Sequence, residues 1–295
     1  MAPRNTNAQP LAVIVGPTAS GKTAAAIELA KEVEGEIICA DSRTVYKGMD
    51  IGTAKPTPEE QKEIPHHLLN VVYPNETFTA ADFQKLAVEE IAKIRGRGKV
   101  PIMVGGTGLY IDSVLFNYTF GAQSSEKLRK KFEKLSIEEL WEYCYKNNIE
   151  LPENKHNKRY VIRAIEQNGI NKHKHNEMID NCIVVGIITE KTTLIKRINH
   201  RAECMFSEDL MQETQRLVNL YGFGHEAMTA SVYSLSHQIN TGEISREEAL
   251  KKFITLDWRL AKRQLTWFKR NKSIHWCERG DVVSLITELL APRQK

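Results

Sequence analysis

Gly16-Pro17-Thr18-Ala19-Ser20-Gly21-Lys22-Thr23 satisfies the spacing Gly-x-x-x-x-Gly-Lys-Ser/Thr. Glycines in such a stretch let the backbone curl until successive N–H groups converge on phosphate oxygens. Lys22 adds a cation on a long stem, and the Thr23 hydroxyl is of the type that holds Mg2+. A loop of this kind binds a di- or triphosphate, but it specifies neither ATP nor hydrolysis. A second reactive group is Asp41, directly after the run Glu36-Ile37-Ile38-Cys39-Ala40. A carboxylate there can bind Mg2+, take a proton from an acceptor nucleophile, or cap the next turn. A third feature is basic. Between Arg246 and Lys272, nine Lys and Arg residues stand against Glu247, Glu248 and Asp257, with Trp258 and Trp267 interleaved. That density either neutralises nucleic-acid phosphates or forms a solvated helix face over buried tryptophans.

These groups can act together only if a strand and a helix flank the loop and if Asp41 ends a neighbouring strand. The sequence supplies both. Leu11–Val15 is a short apolar run that reads as a buried strand, and Thr23–Val33, rich in Ala, Leu and Glu, reads as a helix. Glu36–Ala40 and His67–Val72 are further strand candidates. Ala80–Arg95 has helical spacing, and Val100–Val104 is another apolar run, closed by Gly105-Gly106. Alternation of this kind predicts an α/β fold, a P-loop-type parallel sheet flanked by helices. In an open parallel sheet the carboxyl ends of the strands face the ligand crevice, so the loop and Asp41 should share it. After about Leu115 the character changes. Glu126–Lys155 is charged, aromatic and helical in spacing, and a strand-like run returns only at Cys182–Thr189. We therefore expect an inserted helical domain, 116–180, between the two parts of an α/β domain, 11–115 and 181–295. The part after Leu194 should be mostly helical, with Ser245 and Glu248 forming a capping box at the start of a long helix.

The 295 residues are 41% hydrophobic and 26% charged, with a net charge of +4, which suits a packed globular chain. Cys39, Cys144, Cys182, Cys204 and Cys277 are odd in number and widely spaced, which excludes a disulfide framework and suits a reducing compartment. Met1–Pro10 is polar without an apolar core, and no run approaches the length of a membrane span, so a cytoplasmic protein is expected.

Several blocks resemble the tRNA dimethylallyltransferase (tRNA isopentenyltransferase) family. They are Gly16–Thr23; the stretch from Ala40-Asp41-Ser42-Arg43-Thr44 through Gly52-Thr53-Ala54-Lys55-Pro56; Pro65-His66-His67-Leu68-Leu69 with Ala80-Ala81-Asp82-Phe83; Val104-Gly105-Gly106-Thr107-Gly108-Leu109-Tyr110; and Leu260–Phe268. The resemblance implies transfer of a dimethylallyl group from dimethylallyl diphosphate to the exocyclic amine of the adenosine 3′ of the anticodon. On that reading Gly16, Thr18, Ala19, Ser20, Gly21, Lys22 and Thr23 hold the donor's diphosphate, with Mg2+ at Thr23, and ATP is not consumed. Asp41 is the base, assisted by Thr18 and by Arg201, which matches a family arginine thought to contact the diphosphate. Asp41, Ser42, Arg43 and Thr44 match the stretch that meets the target nucleotide, and Arg159, Tyr160 and Arg163 match a second RNA-contacting stretch in the insertion. Tyr233, Lys262 and Arg263 complete the expected contacts to the tRNA anticodon stem-loop, and the chain is expected to act as a monomer.

The departures fall on the RNA side. A family Gly-Tyr-Arg/Lys element corresponds here to Val232-Tyr233-Ser234, and Tyr160 stands where a basic residue is usual. Three other readings compete: prenyl transfer to a free adenine nucleotide, a P-loop small-molecule kinase, and an RNA-binding protein with a relic loop. The insertion and the basic helix weigh against a small acceptor, and the Asp41 block does not look like a kinase acceptor motif.

Overall fold

A computed structural model describes residues 9–121, 126–167 and 177–291. In chain order the elements are β1 (Leu11–Val15), α1 (Lys22–Glu32), β2 (Gly35–Ala40), α2 (Pro58–Glu63), β3 (His66–His67), α3 (Ala80–Gly96), β4 (Val100–Gly105) and α4 (Gly108–Leu115). Next come α5 (Glu126–Phe132), α6 (Ile137–Lys146), α7 (Lys158–Gln167), β5 (Cys182–Ile188), α8 (Lys191–Met205) and α9 (Glu208–Tyr221). The chain then forms α10 (Ser231–Asn240), α11 (Arg246–Phe268), β6 (His275–Glu278) and α12 (Val282–Leu290).

The strands form one sheet in the order β3-β2-β4-β1-β5-β6, and every pairing is parallel. β1 lies between β4 and β5, and all of its residues are buried. That is why it reads as an unbroken apolar run: a central parallel strand is covered on both faces. On one face α1 and α12 close a core that includes Ile14, Leu29, Ile102, Val185 and Ile286. Register positions the chemistry. Val15 pairs with Gly105 and Ala40 also pairs with Gly105, so β1, β2 and β4 end level and deliver Gly16, Asp41 and Gly106 to one edge.

A second core, of Tyr46, Met49, Phe206, Leu217, Tyr233 and Phe253 among others, fixes helices α8–α11 to the segment after Asp41. Ser245 and Glu248 form the expected capping box. Asp82 plays the same part for α3 with Thr79, and Phe83, fully buried, stacks on Tyr110 with ring centroids 4.4 Å apart. The Ala80–Phe83 block is therefore architectural.

Two strand expectations change. β3 is only His66–His67, because Leu68 and Asn70 take left-handed φ values of 62° and 54°; residues 70–72 pair instead with the Thr44–Lys47 segment, through backbone bonds and the Tyr46–Val72 bridge. Glu36 accepts from His67 Nε2 at 2.7 Å and from Arg97 Nη2 at 2.6 Å, which anchors this short edge strand. β6 is an additional edge strand. Its Trp276 packs on Gly186, where a Cβ would lie 2.6 Å from the indole ring.

By contacts the chain divides into Met1–Leu115 with Ile179–Lys295, and Phe116–Met178. The second unit packs α5–α7 around Phe132, Leu140, Cys144, Val161 and Ile162. The helical stretch expected over Glu126–Lys155 breaks after Phe132, where Ser136 starts α6 with a capping box, and again at Asn148, whose φ is 53°. No helix among the described residues is long and apolar enough to cross a membrane.

Candidate active site

The loop after β1 is shaped by left-handed residues, Ala19 at φ 61° and Gly21 at φ 88°. Lys22 Nζ donates to the Pro17 carbonyl at 2.6 Å and closes the curl. Gly21 offers α1 no side-chain cap, so the first N–H groups of that helix are free to meet an anion. Two buried polar atoms in this region have no partner among the described residues, Ser20 Oγ and Arg201 Nε. Leaving each unpaired costs about 1–3 kcal/mol; Arg201 reaches the cavity wall, where a phosphate oxygen could satisfy it, whereas Ser20 is fully buried beneath the loop.

Three helical residues fasten the loop from outside. Arg197 on α8 donates to the Ser20 carbonyl at 3.3 Å. Gln264 on α11 accepts from the Thr18 N–H at 2.7 Å and donates to the Gly106 carbonyl at 3.1 Å, tying the loop to the end of β4. A Cβ on Gly106 would meet that amide at 2.3 Å, and one on Gly108 would meet Trp267 at 2.3 Å, so these two glycines let α11 approach, while one on Gly105 would meet the Ala40 carbonyl oxygen of β2 at 2.0 Å. Arg201 Nη1 donates to Thr18 Oγ1, whose hydroxyl in turn faces Asp257 Oδ2 at 3.5 Å. Asp257 also lies 3.9 Å from Arg201 Nη1.

Electrostatics follow from this enclosure. Burial pushes the Lys22 ammonium from its ordinary 10.5 down to about 8; Asp41 and Asp257 pull it back up, while Arg201 pushes it further down. Burial raises the Asp257 carboxyl, against Arg201, Thr18 and Lys22.

Asp41 sits just past β2, where its Oδ1 accepts the Arg43 N–H at 2.8 Å. The Ser42 N–H donates to Thr107 Oγ1 at 3.0 Å, and the Thr44 hydroxyl faces the Asp41 carbonyl at 3.5 Å. The Arg43 guanidinium donates to the carbonyls of Glu226 and Ala227, at 2.8 and 3.4 Å. A cavity of about 920 Å3 runs along this edge of the sheet. Its walls include Thr18, Ala19, Gly21, Lys22 and Thr23, the Asp41–Thr44 turn, and Arg201 and Arg263. Gly16 and Ser20 are buried at the loop's root.

Other expected residues lie elsewhere. Lys262 is exposed over the Trp258 ring at 5.7 Å, outside the cavity wall. Arg159 and Tyr160 are exposed at the start of α7, and Arg163 pairs with Glu166 at 3.2 Å. Tyr233, expected at the RNA, has no exposed surface here: its ring packs in the core and its hydroxyl donates to Glu213 Oε1 at 2.7 Å. Asp257, Gln264 and Glu213 were not singled out in the sequence. The available signal for Asp257 was its place as the one acid beyond the first turn of a basic helix, two turns before Gln264 on the same face.

Comparison with known proteins adds a family. A family model described as IPP transferase matches residues 44–271. A curated tRNA dimethylallyltransferase of Bacillus velezensis is 39% identical over 285 residues, covering 92% of this chain and 91% of its own. One from Staphylococcus aureus is 40% identical over 296 residues, covering 94% and 95%. Among solved structures, a full-length tRNA isopentenylpyrophosphate transferase from Bacillus halodurans superposes with a TM-score of 0.73 at 34% identity, covering 96% of this chain and 97% of that one.

Proposed function

Since this chain belongs to the IPP transferase family, we infer that it transfers a dimethylallyl group from dimethylallyl diphosphate to the exocyclic amine of the adenosine 3′ of the anticodon in tRNA. The observation that carries the reading is that the phosphate cradle and Asp41 line one cavity at one edge of the sheet.

The reaction forms a nitrogen–carbon bond to the dimethylallyl C1 and breaks the C1–oxygen bond, releasing pyrophosphate. Negative charge grows on the leaving group. Lys22, Arg201 and the N–H groups at the start of α1 are the donors that meet that charge, with the Thr18 hydroxyl holding Arg201 Nη1 in place, and preorganised donors are worth most in an enclosed site. The adenine amine is a weak nucleophile because its lone pair is delocalised. Asp41 takes the proton that leaves it. Its carboxylate is held for this by one backbone N–H, which leaves acceptor capacity free.

Thr23 is exposed at the start of α1, and among the described residues no cluster of three or more His, Cys, Asp or Glu is placed to hold a metal. These residues fit an Mg2+ that the donor's own phosphates largely ligate, with Thr23 adding its hydroxyl. Bound there, Mg2+ would neutralise charge on the departing pyrophosphate. A monomeric, cytoplasmic enzyme is part of the same proposal, the location resting on the odd, widely spaced cysteines that suit a reducing compartment. Labelled dimethylallyl diphosphate supplied with bulk tRNA or with AMP, in parallel with labelled ATP and small acceptors, tests the reading. Label should enter tRNA alone, without ATP; phosphorylated product would make the chain a kinase.

Lys22 gives a pH signature. It is cationic below about 8 and loses its charge above, so the KM for the donor should rise as pH passes 8, and Lys22→Arg should flatten that rise. Its folded value lies below the unfolded one, so charging it opposes folding at pH 7 and ceases to do so above about 10.5. Lys22→Met should therefore stabilise the fold at pH 7 by about 1 kcal/mol or more, abolish donor binding, and show no gain in a melt near pH 10.5.

On the RNA side, Ser234 faces a groove between α10 and α11 that Lys251, Lys252 and Arg259 also line. Ser234→Arg should strengthen tRNA binding by up to ~1 kcal/mol, the range for a partly exposed charge. Lys262→Gln with Arg263→Gln should weaken it and reduce its salt dependence, each neutralised phosphate contributing a log–log slope of about −0.7. Filter-binding titrations at several salt concentrations measure both; salt-insensitive binding would contradict the electrostatic account.

A further inference from the structure

Asp257 places a buried carboxylate in the wall of a cavity that binds a polyanion, which calls for a reason. Fastening the loop does not need it. Gln264, two turns along the same helix, already holds the Thr18 N–H at 2.7 Å with a neutral amide. What Asp257 supplies that Gln264 cannot is a negative charge beside Arg201, and near Lys22 it adds to the larger pull of Asp41. Its Oδ2 lies 3.9 Å from Arg201 Nη1 and 3.5 Å from Thr18 Oγ1, and the carboxylate attracts Lys22.

Resting on the diphosphate-site reading above, we propose that Asp257 is a positioning residue that presets Arg201 and Thr18 and whose charge keeps the site from holding pyrophosphate too tightly. Arg201 and Lys22 repel one another across the same pocket. A fixed counter-charge on the rigid α11 holds the guanidinium against Thr18 in one orientation, so that no reorganisation is needed when charge develops on the leaving group. After transfer, pyrophosphate remains among the same cations in an enclosed site where Coulomb forces are strong. An adjacent carboxylate opposes that attraction and speeds release. Its repulsion also acts on the charge growing in the transition state, so the gain in the chemical step comes from the orientation of Arg201 and Thr18 and the gain in turnover from release.

The test compares wild type with Asp257→Asn, which preserves shape and an acceptor for the Thr18 hydroxyl but removes the charge, and with Asp257→Glu, which restores it. Inorganic pyrophosphate with Mg2+ is titrated calorimetrically into the full chain, and tRNA prenylation is followed in single-turnover and steady-state modes. In Asp257→Asn the pyrophosphate Kd should fall about tenfold, and the single-turnover rate should drop severalfold with KM for tRNA unchanged. Steady-state turnover should fall further, with an initial burst as release becomes limiting. Asp257→Glu should return the Kd towards wild type. Asp257→Ser provides the same charge removal in a smaller side chain if the Asn variant does not fold. Unchanged or weaker pyrophosphate binding in a folded charge-removal variant overturns the proposal, and so does a lowered Tm with unaltered Kd and kcat, the mark of a purely structural role. Absence of any tRNA prenylation by wild type would instead sink the function reading, while the pyrophosphate titration would still report on Asp257.

Discussion

Asp41→Asn should slow the chemical step by about 10²–10⁴-fold, the usual contribution of a positioned general base, with donor affinity nearly unchanged. The substitution is informative because it is conservative in structure. Asp41 Oδ1 accepts the Arg43 N–H at 2.8 Å, and an asparagine oxygen accepts the same bond. The turn through Ser42, Arg43 and Thr44 is further held by Ser42 N–H to Thr107 and by Arg43 to the carbonyls of Glu226 and Ala227, none of which involves the lost charge. Loss of rate therefore reports on the proton and not on the loop. The measurement is single-turnover prenylation at saturating tRNA, with donor binding titrated separately. A wild-type single-turnover rate would rule out the base role. Weakened donor binding with normal chemistry would assign the carboxylate to Mg2+ instead.

The parts of this site that were legible in the sequence are those written contiguously. The cradle from Gly16 to Thr23 needs its glycines and Lys22 at fixed spacing along the chain, and Asp41 follows its strand directly. The parallel sheet was legible because β1, β2 and β4 are buried throughout and, Glu36 apart, without charged residues. β3 was read too long, as His67–Val72, and β6 was not read at all, since two and four residues are too few to show a period, and both lie at sheet edges. The second set of site residues was hidden for another reason. Gln264 meets Thr18 across a separation of 246 residues, and Asp257 meets it across 239. Asp257 stands out only as the one acid beyond the first turn of a basic helix and Gln264 only as part of the Leu260–Phe268 block; the docking of α11 on the loop gives both their role. Tyr233 shows the converse case. Motif position suggested contact with RNA, whereas burial is a property of the tertiary packing around it.

That packing predicts a large effect. Glu213 on α9 is buried, and its Oε2 accepts the N–H groups of Asp50 and Ile51 at 2.9 and 3.0 Å. Its Oε1 accepts the Gly52 N–H at 3.0 Å and the Tyr233 hydroxyl at 2.7 Å. Gly52 has no side chain because a Cβ there would stand 2.5 Å from the Tyr233 ring. Burial, and then the Glu213 charge, push the Tyr233 phenol well above its ordinary 10, so it stays a donor. Glu213→Ala would strand three backbone N–H groups and a phenol inside the fold. The expected destabilisation is about 3–5 kcal/mol, the scale for removing one partner from a buried charged network, against a total stability of about 5–15 kcal/mol for an ordinary domain. Tyr233→Phe removes one hydroxyl and keeps the ring, and should cost only about 1–2 kcal/mol. Denaturant melts of the two variants measure both values. The pair also decides what Tyr233 does. The segment it supports continues into Gly52, Thr53 and Lys55, which line the cavity, so Glu213→Ala should lose stability and prenylation together. Tyr233→Phe, assayed below its melting range, should bind tRNA as wild type does, because its hydroxyl is spent on Glu213. A Tyr233→Phe protein of wild-type stability that had lost affinity for tRNA would return Tyr233 to the RNA interface.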